Sequence, residues 1–188
     1  MESEETSVER NDFYFGELLT AASNTSIHHQ ICQNINSSLI DKFKPKGYFI
    51  SIGGVRLELT KEKIYVYPDV FLTFNEQDKK NNFFKRFPAL IFEIQSDSTA
   101  LYDRDVKLAN YLKIPELNYY VLVSQKEIWI EIYSRTKDDG IWNYQSFENI
   151  DQIIKFDKLD FELPLATIYD SIEFDEEPDN KSLPLVRY

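Results

Sequence analysis

The first periodic signal along the chain is a set of aliphatic residues that recur every four positions. These residues are Ile27, Ile31, Ile35 and Leu39. This spacing places their side chains on one face of an α-helix, and the polar turn before them supplies side chains that can cap it. We therefore predict a helix over residues 26–42, which ends before Pro45 and Gly47 because neither residue favours a continued helix.

After Gly47 the pattern changes from helix to strand. Runs rich in β-branched and aromatic residues alternate with short polar or glycine-containing turns. The strands are predicted over 48–52, 55–60, 64–74, 88–95, 119–124, 127–134 and 142–147. The polar stretch 75–86 is predicted to be a loop, and the strands 119–124 and 127–134 form a tight hairpin with a long exposed edge.

Three shorter elements complete the pattern. Residues 13–19 are predicted to be extended, residues 96–99 cap a helix that runs to about residue 113, and a short helix covers 165–172. Together the elements indicate the α/β class, with a mixed (α+β) sheet flanked by helices. The domain organisation that we expect is a flexible leader over 1–11, one domain over 12–172 and an acidic tail over 173–188.

Composition narrows the class of protein. The 188 residues include one cysteine, Cys32, so the chain cannot form an internal disulfide or a thiolate zinc site of its own. We therefore expect a reducing compartment such as the cytoplasm. No apolar run is long enough for a membrane span, and the acidic start of the chain does not resemble a secretory signal.

The formal net charge of −11 argues against a dedicated DNA-binding module, which normally carries a basic surface. The charge does not argue equally against a nuclease. A site that holds a divalent metal between carboxylates is itself acidic, and the bound metal neutralises it.

Two carboxylates interrupt apolar strands. Side chains alternate faces along a strand, so Asp69 is an acid in the middle of the predicted strand 64–74, and Glu93 is an acid deep in 88–95. A buried carboxylate is unfavourable unless a cation, a metal or hydrogen bonds compensate it. Each acid alone is equally consistent with a salt bridge or a strand end, but the two together favour a shared divalent cation.

The carboxylates of Asp69 and Glu93, with the main-chain carbonyl of Ile94, make an oxygen site suited to Mg²⁺ or Mn²⁺. Such a metal polarises a phosphate oxygen and lowers the pKa of a bound water, which are the tasks of phosphodiester hydrolysis. Lys107, on the following helix, is placed to orient the water or to stabilise charge on the phosphate. The alternative is that Lys107 is a surface partner of Asp103, four residues earlier.

These residues lie in strings that resemble a known family. The strings are Tyr67-Pro68-Asp69-Val70, the segment Pro88 to Thr99 with Glu93-Ile94-Gln95 at its centre, and Tyr102-Asp103-Arg104-Asp105-Val106-Lys107. In this order they resemble the Uma-two family of restriction endonucleases, within the PD-(D/E)XK nuclease superfamily. The similarity extends over roughly residues 13–172 and includes His29-Gln30 and Gly16-Glu17.

The resemblance implies a restriction endonuclease-like core and an enzyme that hydrolyses ester bonds, namely a Mg²⁺-dependent endodeoxyribonuclease with DNA as substrate. It also implies the catalytic set Asp69, Glu93, Gln95 and Lys107. The superfamily's usual lysine, two residues after the glutamate, is Gln95 here, and the resemblance assigns the lysine role to Lys107. This replacement leaves an alternative open, a catalytically degenerate nuclease-fold protein that binds nucleic acid or another protein.

Further residues are weaker candidates, each with an ordinary structural alternative. Glu17 is a candidate for an outer contact to the metal, His29 matches a family position at the start of the first helix, and Arg104 is a candidate phosphate contact. The basic residues predicted to approach a DNA backbone are Lys79, Lys80, Lys85 and Arg86. The exposed hairpin edge favours a homodimer.

Overall fold

The computed structural model describes most of the chain. The described residues are 11–14, 17–20, 25–61, 63–96, 100–137 and 140–174. The predicted leader, apart from Asn11, and nearly all of the predicted acidic tail lie outside these residues. The described part has mixed sheets flanked by helices, so the predicted fold class is confirmed.

Strands make up most of the regular structure. Their bounds are Asn11–Tyr14 (β1), Glu17–Thr20 (β2), Phe49–Ile52 (β3), Arg56–Thr60 (β4), Ile64–Val66 (β5), Val70–Thr73 (β6), Phe84–Lys85 (β7), Leu90–Gln95 (β8), Tyr119–Ser124 (β9), Ile130–Arg135 (β10), Trp142–Phe147 (β11), Ile153–Phe156 (β12) and Phe161–Pro164 (β13). The pair β12 and β13 forms a separate hairpin, which the sequence patterns did not indicate.

Helices flank these strands. Their bounds are Ser26–Phe43 (α1), Glu76–Lys80 (α2), Ala100–Tyr102 (α3), Leu108–Tyr111 (α4) and Leu165–Ile168 (α5). A π-helical segment, Asp103–Lys107, joins α3 to α4, and short 3₁₀ segments cover Lys44–Lys46 and Asp157–Leu159. Within the described residues, no helix combines the length and apolar character needed to cross a bilayer.

The central sheet has six strands in the order β11-β10-β9-β8-β6-β3. β8 and β9 are parallel, whereas β6 pairs with β8 in antiparallel fashion. A second sheet has the order β2-β1-β5-β4-β7. Because β8 and β9 are parallel, their carboxyl ends, at Gln95 and Ser124, meet at one end of the central sheet.

The alternation predicted for the strand that carries Glu93 is confirmed. Leu90, Phe92 and Ile94 pack with α1 in the larger core, whose members from that helix include Ile31 and Ile35. Ile91 packs on the other face with Phe71, Tyr111 and Tyr120. Glu93 has the same parity as Ile91, so its side chain lies on the side of α4 rather than that of α1.

The prediction of one strand over 64–74 is wrong. The chain forms β5, leaves the smaller sheet at Tyr67, and enters the central sheet as β6 at Val70. Pro68 has no backbone N–H for a continued ladder, and the Asp69 carbonyl accepts the Gly53 N–H at 2.7 Å. Asp69 therefore lies in a bend just before β6, not in the middle of a strand.

The predicted loop 75–86 is also partly wrong, because it contains α2 and β7. The Asn75 side chain accepts the Gln77 N–H at 2.9 Å and caps α2. The buried Asp78 carboxylate then accepts hydrogen bonds from the Thr73 hydroxyl and from the backbone N–H groups of Arg86 and Phe87. This set of bonds folds the polar stretch back onto the sheet, which local composition does not reveal.

The predicted exposed edge of the hairpin 119–134 is wrong as well. β9 pairs with β8 on one side and with β10 on the other. β10 in turn pairs with β11 along all six of its residues. The edges of the central sheet are β11 and β3. The argument for a homodimer from a free edge at this hairpin therefore loses its support.

Candidate active site

Asp69 lies at the end of the central sheet where β6 meets β8. Val70 pairs with Phe92 in the antiparallel ladder, so the preceding Asp69 lies beside Glu93. The carboxylate is oriented by a hydrogen bond from the Ile94 N–H to Oδ2, at 2.7 Å. Its other oxygen, Oδ1, lies 3.1 Å from Nε2 of His28, and the side chain is 21% exposed. Asp69 is thus a fixed carboxylate with partial access to solvent.

Glu93 is buried near the carboxyl end of β8. Its Oε1 accepts a hydrogen bond from the Tyr111 hydroxyl at 2.8 Å and lies 3.0 Å from Nζ of Lys107. Burial, the largest effect, and the negative charge of Asp69 raise the pKa of Glu93 well above its ordinary value, although Lys107 opposes the rise. The site therefore holds a carboxyl group that ionises less readily than a solvated glutamate.

Lys107 is buried at the end of the π-helical segment, so the alternative of a surface ion pair is wrong. Besides its contact with Glu93, the Nζ atom of Lys107 lies 3.2 Å from Oδ1 of Asp103 and 3.8 Å from Oδ2 of Asp12. Burial lowers the pKa of Lys107, but the surrounding carboxylates, with Glu93 first, outweigh that effect and raise it well above 10.5. The ammonium group is therefore charged at neutral pH.

Asp12 and His28 also belong to this cluster, and neither was predicted from the sequence. Asp12 comes from β1, and its Oδ1 accepts the Tyr67 N–H at 2.8 Å, which ties β1 to the residues just before Asp69. No local pattern indicates this contact, because it depends on the pairing of β1 with β5, which is distant in sequence. His28 has a detectable signal, since it precedes Ile31 and Ile35 by one and two helical turns and so lies on the buried face of α1.

The structure distinguishes the two histidines. His28 is buried, and its Nδ1 lies 3.7 Å from Sγ of the buried Cys32. His29, the residue predicted from the sequence, is exposed. The imidazole that reaches Asp69 is thus that of His28.

Gln95 ends β8 with its side chain buried, and Nε2 has no hydrogen-bond partner within the described residues. A buried amide N–H without a protein partner is uncommon in folded proteins, and such a group can bind a water, an ion or a ligand. Ile94 lies between Glu93 and Gln95, and its backbone N–H is the group that orients Asp69.

The remaining predicted residues lie away from this cluster or are already engaged. The Glu17 side chain is outside the part of the structure that can be described. Arg104 donates to Glu131 at 2.6 Å, Lys79 lies 2.8 Å from Glu76, Arg86 pairs with Glu58, and Lys80 is exposed. Lys85 is buried, so the prediction that it approaches DNA is wrong: its Nζ donates to the carbonyls of Asp78 and Asn81.

The donor set fits a divalent metal. Asp69 and Glu93 supply carboxylate oxygens from neighbouring positions of the sheet. Ile94, whose main-chain carbonyl is the third predicted donor, directly follows Glu93 in β8. One ligand atom each of His28, Cys32 and Asp69 lies within 4.8 Å of the others. Asp69 belongs to both sets of candidate ligands, and its side chain is the most exposed among them. An ion from solvent would therefore contact Asp69 first.

Comparison with known proteins identifies a family that matches most of the chain. The family model Uma2, described as "Putative restriction endonuclease", matches residues 1–166. Among curated proteins, the uncharacterized protein slr1290 of Synechocystis sp. is 27% identical over 151 residues, covering 79% of each chain. The uncharacterized protein sll1609 of the same organism is 29% identical over 140 residues, covering 73% of this chain and 79% of that protein.

A solved structure resembles the fold. It is a crystal structure from Anabaena variabilis described as "a putative nuclease belonging to DUF820", with a TM-score of 0.68 and 15% sequence identity. The match covers 85% of this chain and 89% of that one. The expectation of a restriction endonuclease-like fold is therefore confirmed.

Proposed function

Because the chain belongs to the Uma2 family, whose model carries the description "Putative restriction endonuclease", we propose that it is a Mg²⁺- or Mn²⁺-dependent endonuclease that hydrolyses phosphodiester bonds in DNA. The observation that carries the proposal is the convergence of Asp69, Glu93 and Lys107 at one end of the central sheet. The contact between Glu93 Oε1 and Lys107 Nζ measures 3.0 Å, and both side chains are buried.

The metal would be held by Asp69, Glu93 and the main-chain carbonyl of Ile94. These are hard oxygen donors of the kind that Mg²⁺ and Mn²⁺ prefer. The bound metal supplies Lewis acidity, which polarises the scissile phosphate and lowers the pKa of a water molecule. The Ile94 N–H orients Asp69 through the backbone of β8, so little reorganisation is needed on binding.

Lys107 acts as a charged donor in this proposal and not as a base. Its pKa is raised by four carboxylates, with Glu93 first, so at neutral pH the amine has no lone pair with which to accept a proton. A buried ammonium group beside Glu93 is suited to donate a hydrogen bond to the attacking water or to a phosphate oxygen. It also stabilises the negative charge that develops in the transition state.

Gln95 supports the same site with an uncharged donor. Its Nε2 is buried and has no partner in the described part of the chain, so it is available to hold a water or a hydroxide. The amide carries no charge and cannot replace the usual lysine of the superfamily. The charged role is therefore assigned to Lys107, which reaches Glu93 from the π-helical segment.

A plasmid-cleavage assay tests the proposal. The full chain is incubated with supercoiled DNA and Mg²⁺ or Mn²⁺, beside the variants Asp69→Ala, Glu93→Gln and Asp105→Ala. We expect nicking or cutting by the unmodified protein and by the control Asp105→Ala. Asp105 lies on the same π-helical segment as Lys107, but it is exposed to solvent. Asp69→Ala and Glu93→Gln should lose at least about 100-fold in rate, because each removes a metal ligand.

Equal cleavage by the unmodified protein and Asp69→Ala would indicate a contaminating nuclease and would contradict the proposal.

The second candidate, a degenerate nuclease-fold binding module, is favoured by Gln95 in place of the usual lysine. It predicts DNA or protein binding without cleavage. Calorimetry with Mn²⁺ separates the two, because a degenerate site shows no heat of binding that depends on Asp69 and Glu93.

A further inference from the structure

The imidazole of His28 is held in place beside the proposed metal site. Thr25 caps α1: its hydroxyl oxygen accepts the His28 backbone N–H at 3.0 Å and donates to Oε1 of Gln125 at 2.6 Å. Gln125 directly follows β9, so this chain of bonds fastens the start of α1 to the end of the sheet where Glu93 lies. The His28 side chain is 8% exposed. The fold therefore fixes the position of the His28 imidazole.

The contact between His28 and Asp69 has the dimensions of two ligands on one ion. His28 Nε2 lies 3.1 Å from Asp69 Oδ1. Two ligands at right angles on an octahedral ion with bonds of about 2.1 Å lie about 3.0 Å apart. Asp69 Oδ2 is occupied by the Ile94 N–H, so Oδ1, the oxygen beside His28, is the one left for a cation.

We propose that His28 Nε2 is a ligand, beside Asp69, of the divalent cation in this site, an inference that rests on the proposed function. The coordination then contains a nitrogen donor as well as oxygens. Imidazole nitrogen suits transition metals, whereas Mg²⁺ prefers oxygen ligands and water. The site is therefore expected to select Mn²⁺ over Mg²⁺ more strongly than an all-oxygen site does.

Cys32 is a positioning residue for His28 in this arrangement. Its Sγ lies 3.7 Å from Nδ1, one helical turn along α1. Burial, together with the charges of Asp69 and Glu93, raises the pKa of Cys32, so the group is a neutral thiol and neither a nucleophile nor a ready ligand. A neutral thiol remains able to donate or accept one weak hydrogen bond.

The Cys32 thiol is compatible with a metal-bound imidazole. A thiol can donate a hydrogen bond to Nδ1 or accept one from Nδ1–H, so the contact at 3.7 Å is possible in either tautomer of the ring. A ligand nitrogen Nε2 would carry no proton, and Nδ1–H would then donate to Sγ. Cys32 would in this way support the ring on the side opposite to the metal.

Pulsed electron paramagnetic resonance of the full chain loaded with Mn²⁺ tests the proposal directly. The sequence contains two histidines, His28 and His29, so protein labelled with ¹⁵N-histidine reports on these residues alone. We expect a hyperfine coupling between Mn²⁺ and ¹⁵N in the unmodified protein and in His29→Asn. The coupling should be absent from His28→Asn. Because a coupling in His29→Asn can come only from His28, poor folding of His28→Asn would not prevent the test.

Mn²⁺ and Mg²⁺ titrations add a second measurement. We expect His28→Asn to weaken Mn²⁺ binding by at least about 10-fold and to weaken Mg²⁺ binding less, so that the preference for Mn²⁺ falls. His29→Asn should change neither affinity. Cys32→Ala should weaken Mn²⁺ binding more than Cys32→Ser does, since a hydroxyl retains the hydrogen bond to Nδ1.

The outcomes distinguish this inference from the proposed function. Binding of Mn²⁺ that depends on Asp69 and Glu93 but shows no ¹⁵N coupling overturns the role of His28 and leaves the nuclease proposal standing. A coupling that survives in His28→Asn also overturns it. If the unmodified protein binds no Mn²⁺, both the inference and the proposed metal dependence fail.

Discussion

The ammonium group of Lys107 lies 3.0 Å from the carboxylate of Glu93, and both side chains are buried. Three carboxylates contact this single cation in the described residues, those of Glu93, Asp103 and Asp12. The cation therefore keeps a cluster of acids together in the absence of metal. The cluster still carries excess negative charge, which a divalent cation would neutralise.

Substitution of Lys107 is expected to destabilise the fold strongly. Lys107→Met retains much of the side-chain volume but leaves buried carboxylates without their cation. Breaking a buried pair in this way costs about 3–5 kcal/mol. Urea unfolding in EDTA measures the change in the free energy of unfolding, with Lys113→Met as the control, because Lys113 is exposed two residues beyond α4.

A double variant locates the source of this loss. If the penalty arises from the uncompensated charge of Glu93, Lys107→Met combined with Glu93→Gln should be more stable than the sum of the two single changes indicates. Additive losses would show that Lys107 stabilises the protein through packing and not through its charge.

Glu93 should make stability depend on pH in a defined direction. Its pKa is raised above its ordinary value of 4.5, so the folded state retains a proton that the unfolded state releases. The protonated form of Glu93 stabilises the folded state fully below that ordinary value, and this contribution is lost as pH rises through the raised pKa. Unfolding measured in EDTA from about pH 5 to about pH 8 should therefore show the unmodified protein losing stability relative to Glu93→Gln. A constant difference across this range would contradict the raised pKa.

Tyr111 and Tyr120 form a matched pair for testing the hydrogen bond to Glu93. Both are fully buried, and their rings pack edge to face at 5.1 Å. The Tyr111 hydroxyl donates to the Glu93 carboxylate, whereas that of Tyr120 donates to the carbonyl of Asp103 at 3.1 Å. A hydrogen bond to a charged group contributes about 1.5–3 kcal/mol and one to a neutral group about 1 kcal/mol.

We therefore expect Tyr111→Phe to weaken Mn²⁺ binding and Tyr120→Phe to leave it nearly unchanged, as calorimetry can measure. Loss of the Tyr111 hydroxyl makes the ionised form of Glu93 less favourable, and metal binding requires that form. Equal effects of the two substitutions on Mn²⁺ affinity would contradict a direct role of the Tyr111 bond.

Lys85 and Lys80 should differ in stability and in DNA binding. Lys85→Met leaves the carbonyls of Asp78 and Asn81 without their donor, and each buried unpaired carbonyl costs about 1–3 kcal/mol. Lys80 is exposed, so Lys80→Met should not change the free energy of unfolding.

If α2 contacts the DNA backbone, Lys80→Met should lower the affinity of the protein for DNA and reduce the salt dependence of that affinity. Fluorescence anisotropy at several salt concentrations measures both. Unchanged salt dependence would place the DNA elsewhere.

Local patterns were sufficient for elements with a strong period. The spacing of Ile27, Ile31, Ile35 and Leu39 predicted α1 to within one residue of its observed end at Phe43. Alternation along β8 placed Glu93 on the face opposite Phe92, as the two cores show. These predictions were possible because burial of one helix face or one strand face leaves a periodic record in the sequence.

Elements shaped by distant contacts were predicted less well. The turn at Pro68 and Asp69 depends on a hydrogen bond from Gly53, and α2 depends on the bonds that Asp78 makes to residues from Thr73 to Phe87. The π-helical segment before Leu108 likewise has no signature in its residue types. For the turn and for α2 the partners include residues far along the chain, so propensity alone favours a continuous strand and a loop there.

The sequence by itself determined the family, the main helix and the two candidate acids within apolar stretches, because these follow from residue types and their order. Only the tertiary structure decided that Lys107 is buried against Glu93, that Asp12 joins it from β1, and that His28 rather than His29 meets Asp69. The reason is that a candidate site is made by side chains from separate elements, and the directions in which they point are set by packing. A shift of one residue along α1 turns an imidazole by about 100°, and it is the packing of the helix that brings His28 to the site.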